Sequence, residues 1–163
     1  MRILKWIGIA LLALAVVGGV AYALRRDPIG PLAGRQLTGP VVTEPVEDWS
    51  FSDEHMLIAV ETRLGDPHSV TTVCFTLDGE LYVPATTGSQ KQWTQYVMND
   101  PRVRVKIDGK IYPALAERVT DASRSADMRA AARKKYNLDA NAAPPDDLWV
   151  FRLRSPGLDV AAP

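Results

Sequence analysis

Two Asp-Gly pairs, Asp78-Gly79 and Asp108-Gly109, each sit between runs of alternating apolar residues, and they restrict this chain to a small set of folds. A two-residue hairpin loop of type I′ needs positive φ at both central positions, which Asp tolerates and Gly adopts freely. The first pair sets a register that matches Leu77 with Glu80, Phe75 with Tyr82 and Val73 with Pro84. Its other face matches Thr76 with Leu81, Cys74 with Val83 and Thr72 with Ala85. The second pair follows the cleanest period-two pattern in the chain. Val103, Val105 and Ile107 alternate there with Arg102, Arg104 and Lys106, one face buried and one wet. Between the hairpins, Ser89 to Met98 reads as a short capped helix with Trp93, Tyr96 and Val97 on one stripe, stopped by Asn99-Asp100-Pro101. Two antiparallel hairpins joined by one helix predict a small barrel.

The flanks extend that barrel. Met56, Ile58 and Val60 alternate with His55 and Glu61 over His55–Arg63, and Trp149, Phe151 and Leu153 share one face over Leu148–Arg154, so both read as strands. Arg35–Thr43 reads as a further strand interrupted by Gly39-Pro40. A second helix fits Ser123–Tyr136, with Met128, Ala132 and Tyr136 on one face and cations in the last turns. The expectation is a mainly β (α+β) fold of about six or seven antiparallel strands with two short helices.

The N-terminus is of a different kind. Trp6 to Leu24 is 19 residues without a charge, flanked by Arg2 and Lys5 before and Arg25-Arg26 after. As a helix it is about 29 Å long, close to the ~30 Å of a bilayer core. The run therefore reads as one N-terminal transmembrane helix, with Trp6 and Tyr22 near the two interfaces. The alternative is a cleaved signal peptide, for which Ala21-Tyr22-Ala23 supplies a small-x-small site. The expected division is an anchor over 1–26, a linker over 27–33 and the barrel over 34–163. A short cationic N-terminus ahead of a long domain normally stays in the cytoplasm, which places the domain on the outer, extracytoplasmic face. After Arg26 the chain holds 15 basic and 19 acidic residues, a net −4, which argues against nucleic acid as a partner. The lone Cys74 sits among apolar strand residues and reads as a buried, inert thiol. His55 and His68 are the only histidines and have no cysteine cluster nearby, so no metal site is expected.

Taken in order, the motifs resemble the FMN-binding split-barrel superfamily, that is, pyridoxamine-phosphate-oxidase-like proteins and deazaflavin-dependent nitroreductases. The residues carrying the resemblance begin at Thr62-Arg63-Leu64-Gly65 and continue through Leu81-Tyr82-Val83-Pro84-Ala85-Thr86-Thr87. They then run through Lys91-Gln92-Trp93, Tyr96-Val97, Asn99-Asp100-Pro101-Arg102-Val103-Arg104-Val105 and Ala116-Glu117-Arg118-Val119. The resemblance implies a split β-barrel, an FMN or deazaflavin cofactor, a homodimer, and redox chemistry of the nitroreductase or quinone-reductase kind. The turn that helps hold the cofactor phosphate in this superfamily reads Gly65-Asp66-Pro67-His68-Ser69 here, acidic and without an Arg or Lys.

The residues set against that expectation are Thr86, Thr87, Ser89 and Lys91, with Trp93 packing nearby. Hydroxyls, one lysine and the N–H groups of a helix start suit an anionic group. Ser89 as a plain N-cap and Thr86-Thr87 as a strand exit is the simpler alternative. No G-x-S-x-G, G-x-G-x-x-G or P-loop is present, and no residue reads as a dedicated acid or base. Two functions remain open: a cofactor-binding oxidoreductase acting on a small apolar substrate such as a quinone, or a non-catalytic split barrel serving as a binding or scaffolding module.

Overall fold

The computed structural model describes residues 2–23, 26–139 and 142–157, with side chains in the first helix from 6 to 20. Seven strands form one antiparallel sheet: β1 (Ile58–Thr62), β2 (His68–Thr72), β3 (Phe75–Leu77), β4 (Glu80–Ala85), β5 (Arg102–Ile107), β6 (Lys110–Arg118) and β7 (Trp149–Arg154). Their order is β2-β1-β5-β6-β7-β4-β3. Only Val73 and Cys74 separate β2 from β3 in sequence, yet these strands lie at opposite ends of the sheet. The sheet must therefore curl until its ends meet at those two residues, which makes a half-open barrel.

Both Asp-Gly pairs form the expected turns, with φ of +55° and +78° at Asp78-Gly79 and +47° and +74° at Asp108-Gly109. Leu77–Glu80, Thr76–Leu81 and Phe75–Tyr82 pair as the first turn dictates, and the last pair stacks its rings 5.4 Å apart. The predicted hairpin stops there. Thr72 pairs with Ile58 on β1 instead of Ala85, and Val73 and Cys74 join no ladder. Ala85 pairs instead with Trp149. Closing the barrel requires this corner, which a local turn rule does not contain. Residues 35–43 form no strand; a single bridge joins Val41 to Ile111, and another just before the segment joins Gly34 to Ser69.

The barrel interior is filled from alternate positions: Val60, Leu81, Val83, Val103, Val105, Ile107 and Phe151 are almost fully buried in one cluster with Trp49, Trp93 and Val97. The helix α2 (Gln92–Asn99) supplies the last two of these. Helix α3 (Ser125–Tyr136) lies outside, where Met128 packs on Phe75 and Tyr82, residues that face away from the interior. The cationic stripe on β5 is not a free wet face. Arg102 pairs with Asp100, Arg104 with the buried Glu61, and Lys106 with Asp27. Asp27 also accepts the Thr38 N–H and hydroxyl, which fastens the start of the 27–33 segment to the barrel.

An N-terminal helix α1 (Arg2–Ala23) precedes the barrel. The transmembrane span expected over Trp6 to Leu24 is not borne out: among the described residues no helix is long and apolar enough to cross a membrane. Of α1, the described side chains run from Trp6 to Val20. The Tyr22 side chain, to which the far interface was assigned, the span's last residue Leu24 and the flanking Arg25 lie outside the described residues.

Candidate functional site

The segment from β4 to α2 does not fold as the single capped helix that Ser89 predicts. Thr87 takes the left-handed conformation (φ +53°, ψ +43°), a 3-10 turn covers Gly88–Gln90, and α2 begins at Gln92 with extended Lys91 as its N-cap. Thr94, one turn into the helix, turns its hydroxyl back to the Gly88 and Lys91 carbonyls, at 2.5 and 2.6 Å. Ser89 is thus not the cap. Its N–H and hydroxyl both donate to Asp147 Oδ2, at 2.9 and 2.7 Å, and the Gly88 N–H donates to the Asp147 carbonyl at 2.9 Å. The Ser89 hydroxyl bond holds the Asp147 carboxyl below the usual range. A carboxylate of the protein therefore occupies the donors predicted to receive an anion. The Thr87 hydroxyl is spent on the Thr86 carbonyl, at 2.6 Å. Thr86 faces a different cavity, beside α3.

Lys91 and Trp93 do come together. They line a cavity of about 370 Å³ with His68, Thr71 and Thr72 of β2, and the segment at Gly30 and Pro31 closes one side. This volume is within the range of small-molecule sites. Lys91 is half-buried and makes no ion pair among the described residues. Trp93 is 5% exposed and packs 5.4 Å from Phe151, so one indole serves both the core and the cavity wall. No carboxylate lines this cavity.

The electrostatics beside Lys91 come from the turn that joins β1 to β2. Arg63 is in the left-handed region, and its guanidinium binds the Asp66 carboxylate at 2.6 Å and the Asp66 carbonyl at 2.8 Å. It also lies over the Tyr96 ring, 4.6 Å from its centre. His68 meets the same ring edge-on at 5.5 Å. Burial, with the Arg63 charge second, pushes the His68 imidazole below its ordinary value and keeps it neutral near pH 7. The wall of the cavity is therefore one cation, one neutral imidazole, two hydroxyls and an aromatic ring. That donor set fits a flat, mostly apolar heterocycle with one anionic arm, and the neutral His68 imidazole is the one group in it able to accept a proton near pH 7.

Sequence reasoning thus located two of the five predicted residues, Lys91 and Trp93, in one cavity and missed His68, Thr71 and Thr72. No local signal marks them, because the Val70–Cys74 run looks like uninterrupted strand and its break is visible only in the fold. Nothing local marks Asp147, 58 residues from Ser89, as that residue's partner. Among the described residues no group of three or more His, Cys, Asp or Glu gathers in a metal-binding arrangement.

The model of a family described as F420H(2)-dependent quinone reductase matches residues 33–144, about two thirds of the chain. No curated protein matches at a significant level. Among solved structures, a conserved hypothetical protein from Mycobacterium tuberculosis is 15% identical with a TM-score of 0.53, over 74% of this chain and 86% of that one. A putative 5-nitroimidazole antibiotic resistance protein from Bacteroides thetaiotaomicron is 11% identical with a TM-score of 0.50, over 68% and 81%. A putative pyridoxamine 5'-phosphate oxidase from Listeria innocua is 22% identical with a TM-score of 0.47, over 62% and 84%. The first two share the fold, and the split-barrel resemblance read from the motifs is borne out.

Proposed function

The chain belongs to the F420H(2)-dependent quinone reductase family, and from that membership we propose that it binds the reduced deazaflavin in the Lys91 cavity and reduces a quinone. The observation that carries this reading is that Lys91, Trp93, His68, Thr71 and Thr72, all within the matched residues, converge on one cavity of suitable volume and donor chemistry. When bound, the reduced deazaflavin supplies a hydride, which the quinone takes with one proton to become the hydroquinone. Lys91 would hold the anionic arm and Thr71 and Thr72 would bind polar edges. Trp93 would give the ring an apolar wall, and the segment at Gly30 and Pro31 would exclude water. In this reading the chain mainly orients and shields the reactants. FMN is the alternative ligand for the same donors.

Anaerobic titration of the full chain with reduced F420, followed by a quinone, tests this directly. Return of the oxidised deazaflavin's visible absorbance at a rate proportional to protein supports the reading. Lys91→Ala should weaken cofactor binding by roughly tenfold, the scale of one charge-assisted contact. A wild-type chain that binds neither deazaflavin nor FMN overturns it. That outcome would favour a cofactor-free binding module, which the Ser89–Asp147 and Arg63–Asp66 pairs support by neutralising groups suited to an anion. We further propose a homodimer, with exposed Met56 and Leu57 beside β1 as part of the contact. Light scattering that gives only the monomer mass would overturn this.

A further inference from the structure

Where β2 breaks from β3, three separated parts of the chain bring a thiol, an amine and a hydroxyl together, and the cofactor reading uses none of them. Cys74 stands at the corner, fully buried. Lys135 reaches it from α3 with a side chain only 6% exposed, whereas the neighbouring Lys134 is exposed. A lysine is almost never buried to that degree without partners. Its ammonium lies 3.4 Å from the Cys74 sulfur, 2.9 Å from the Ser52 carbonyl and 3.3 Å from an Asp53 carboxylate oxygen, so each of its three N–H bonds has an acceptor. Ser52 and Asp53 come from the 3-10 turn Ser50–Glu54, and the Ser52 carbonyl is also 4.0 Å from the sulfur.

Ion pairing accounts for Lys135 and Asp53 but not for the rest of the cluster. The Ser52 hydroxyl is fully buried and has no hydrogen-bond partner among the described residues, which a folded chain ordinarily avoids. The thiol sulfur is a weak acceptor, yet it takes one N–H of a buried cation. Burial pushes the Cys74 thiol up, and the Lys135 charge and N–H draw it back, so the amine favours the nucleophilic thiolate. A sulfenic acid formed beside a nitrogen is open to covalent capture by it. An oxygen placed between Lys135 Nζ and Cys74 Sγ spans their separation with little movement, and it adds an acceptor next to Ser52. A direct S–N bond requires a far closer approach.

We propose that Cys74 and Lys135 are joined by peroxide into a reversible sulfur–oxygen–nitrogen bridge, a redox clasp that fastens α3 to the barrel corner. This clasp owes nothing to the deazaflavin reading. One hydrogen peroxide oxidises the thiol to the sulfenic acid: the O–O and S–H bonds break, an S–O bond forms and one water leaves. The Lys135 ammonium gives its extra proton to solvent by way of Asp53. A second hydrogen peroxide takes two electrons from the amine as the O–N bond forms. The O–H bond of the sulfenic acid, one N–H bond and the peroxide O–O bond break, and two waters leave. Two equivalents of dithiol reverse the process and return the thiol, the amine and water. The bridge closes a loop between positions 61 apart, so it constrains the unfolded chain as a disulfide does.

The test treats the reduced full chain with hydrogen peroxide, stops the reaction with catalase and reads the intact mass. One oxygen gained and two hydrogens lost, about 14 Da, is the expected product. The tryptic peptides carrying Cys74 and Lys135 should then be joined, and dithiothreitol should separate them. Cys74→Ser and Lys135→Arg should each abolish the product, while Lys134→Arg on the exposed neighbour should leave it in place. The clasped wild type should unfold at a higher urea concentration than the reduced one, and the difference should vanish on reduction. Peptide mapping of the wild type decides the matter even if Lys135→Arg fails to fold. An unchanged mass with Cys74 still a free thiol overturns the proposal. So does a sulfinic or sulfonic acid at Cys74 with Lys135 unmodified, a disulfide between two copies, or a product that survives Lys135→Arg. Joined peptides that have lost two hydrogens and gained no oxygen would also overturn it, because the sulfur would then be bonded directly to nitrogen.

Discussion

Gly88 belongs to the polar cluster that reads as an anion site, yet its own reason is packing. A Cβ there would overlap the Trp149 side chain, which also carries the Arg118 guanidinium 3.6 Å above its ring. Gly88→Ala should therefore cost about 1–3 kcal/mol through overpacking, seen as a lower midpoint in urea with an unchanged m-value. Glu61 presents the opposite case, a charge the core tolerates because it is fully partnered. It is 0% exposed, directly opposite Arg104 in the β1–β5 ladder, and accepts the Arg104 Nε–H at 3.0 Å and the Leu37 N–H at 2.6 Å. Arg104→Met strands that carboxylate and should destabilise the fold by about 3–5 kcal/mol, much of it recovered when Glu61→Gln is added. A double-mutant cycle in denaturant measures both. The sequence shows Arg104 as one of three alternating cations and so suggests a solvated face. Asp100 is two residues from Arg102, but the partners of Arg104 and Lys106 come from positions 61 and 27, which no local pattern joins to the stripe.

Among elements, the two hairpins were legible because a two-residue turn and a period of two are local rules, and both act on neighbouring residues. The corner at Val73-Cys74 was not, since it answers to the closure of the whole sheet. What holds that corner is α3. The Tyr136 hydroxyl has the Cys74 and Met56 carbonyls within donating distance, at 2.7 and 2.9 Å, and accepts the Cys74 N–H at 3.0 Å. Lys135 places its ammonium 3.4 Å from the buried Cys74 sulfur. Burial pushes the Tyr136 phenol up to about 12, so it remains protonated through the ordinary pH range. Tyr136→Phe keeps the ring and removes the hydroxyl that serves this corner. It should cost about 1–3 kcal/mol, the scale of leaving a buried donor unsatisfied, and should speed amide exchange at Cys74 before that of the barrel strands. The same burial raises the Cys74 thiol, with Lys135 opposing, so alkylation in the native protein should be slow and should accelerate in Tyr136→Phe.

For the whole molecule, the site was half legible: Lys91 and Trp93 are neighbours in sequence, whereas His68, Thr71 and Thr72 reach them only because the barrel curls β2 against α2. This juxtaposition makes His68 a reporter of the assembled fold. Its imidazole is held below its ordinary value, mainly by burial, with Arg63 adding repulsion to the charged form, so the unfolded chain binds the proton more readily than the folded one. The associated stability is fully present above the ordinary histidine value near 6.5. It is lost progressively as pH falls through that value toward the lower folded one. The carboxylates held below their ordinary range, Asp27, Asp100 and Glu117 among them, act in a separate and more acidic window. Between pH 7.5 and 5.5 the unfolding midpoint in urea should therefore drop, and His68→Gln should flatten most of that dependence while leaving the loss below pH 4 in place. Ligand binding reverses the sign locally. An anion beside Lys91 favours the protonated imidazole, so the wild type should lose less stability on acidification with the deazaflavin bound than without it. An equal drop in wild type and His68→Gln would mean that β2 does not bury this imidazole against Tyr96, and the cavity assigned to the cofactor would lose its inner wall.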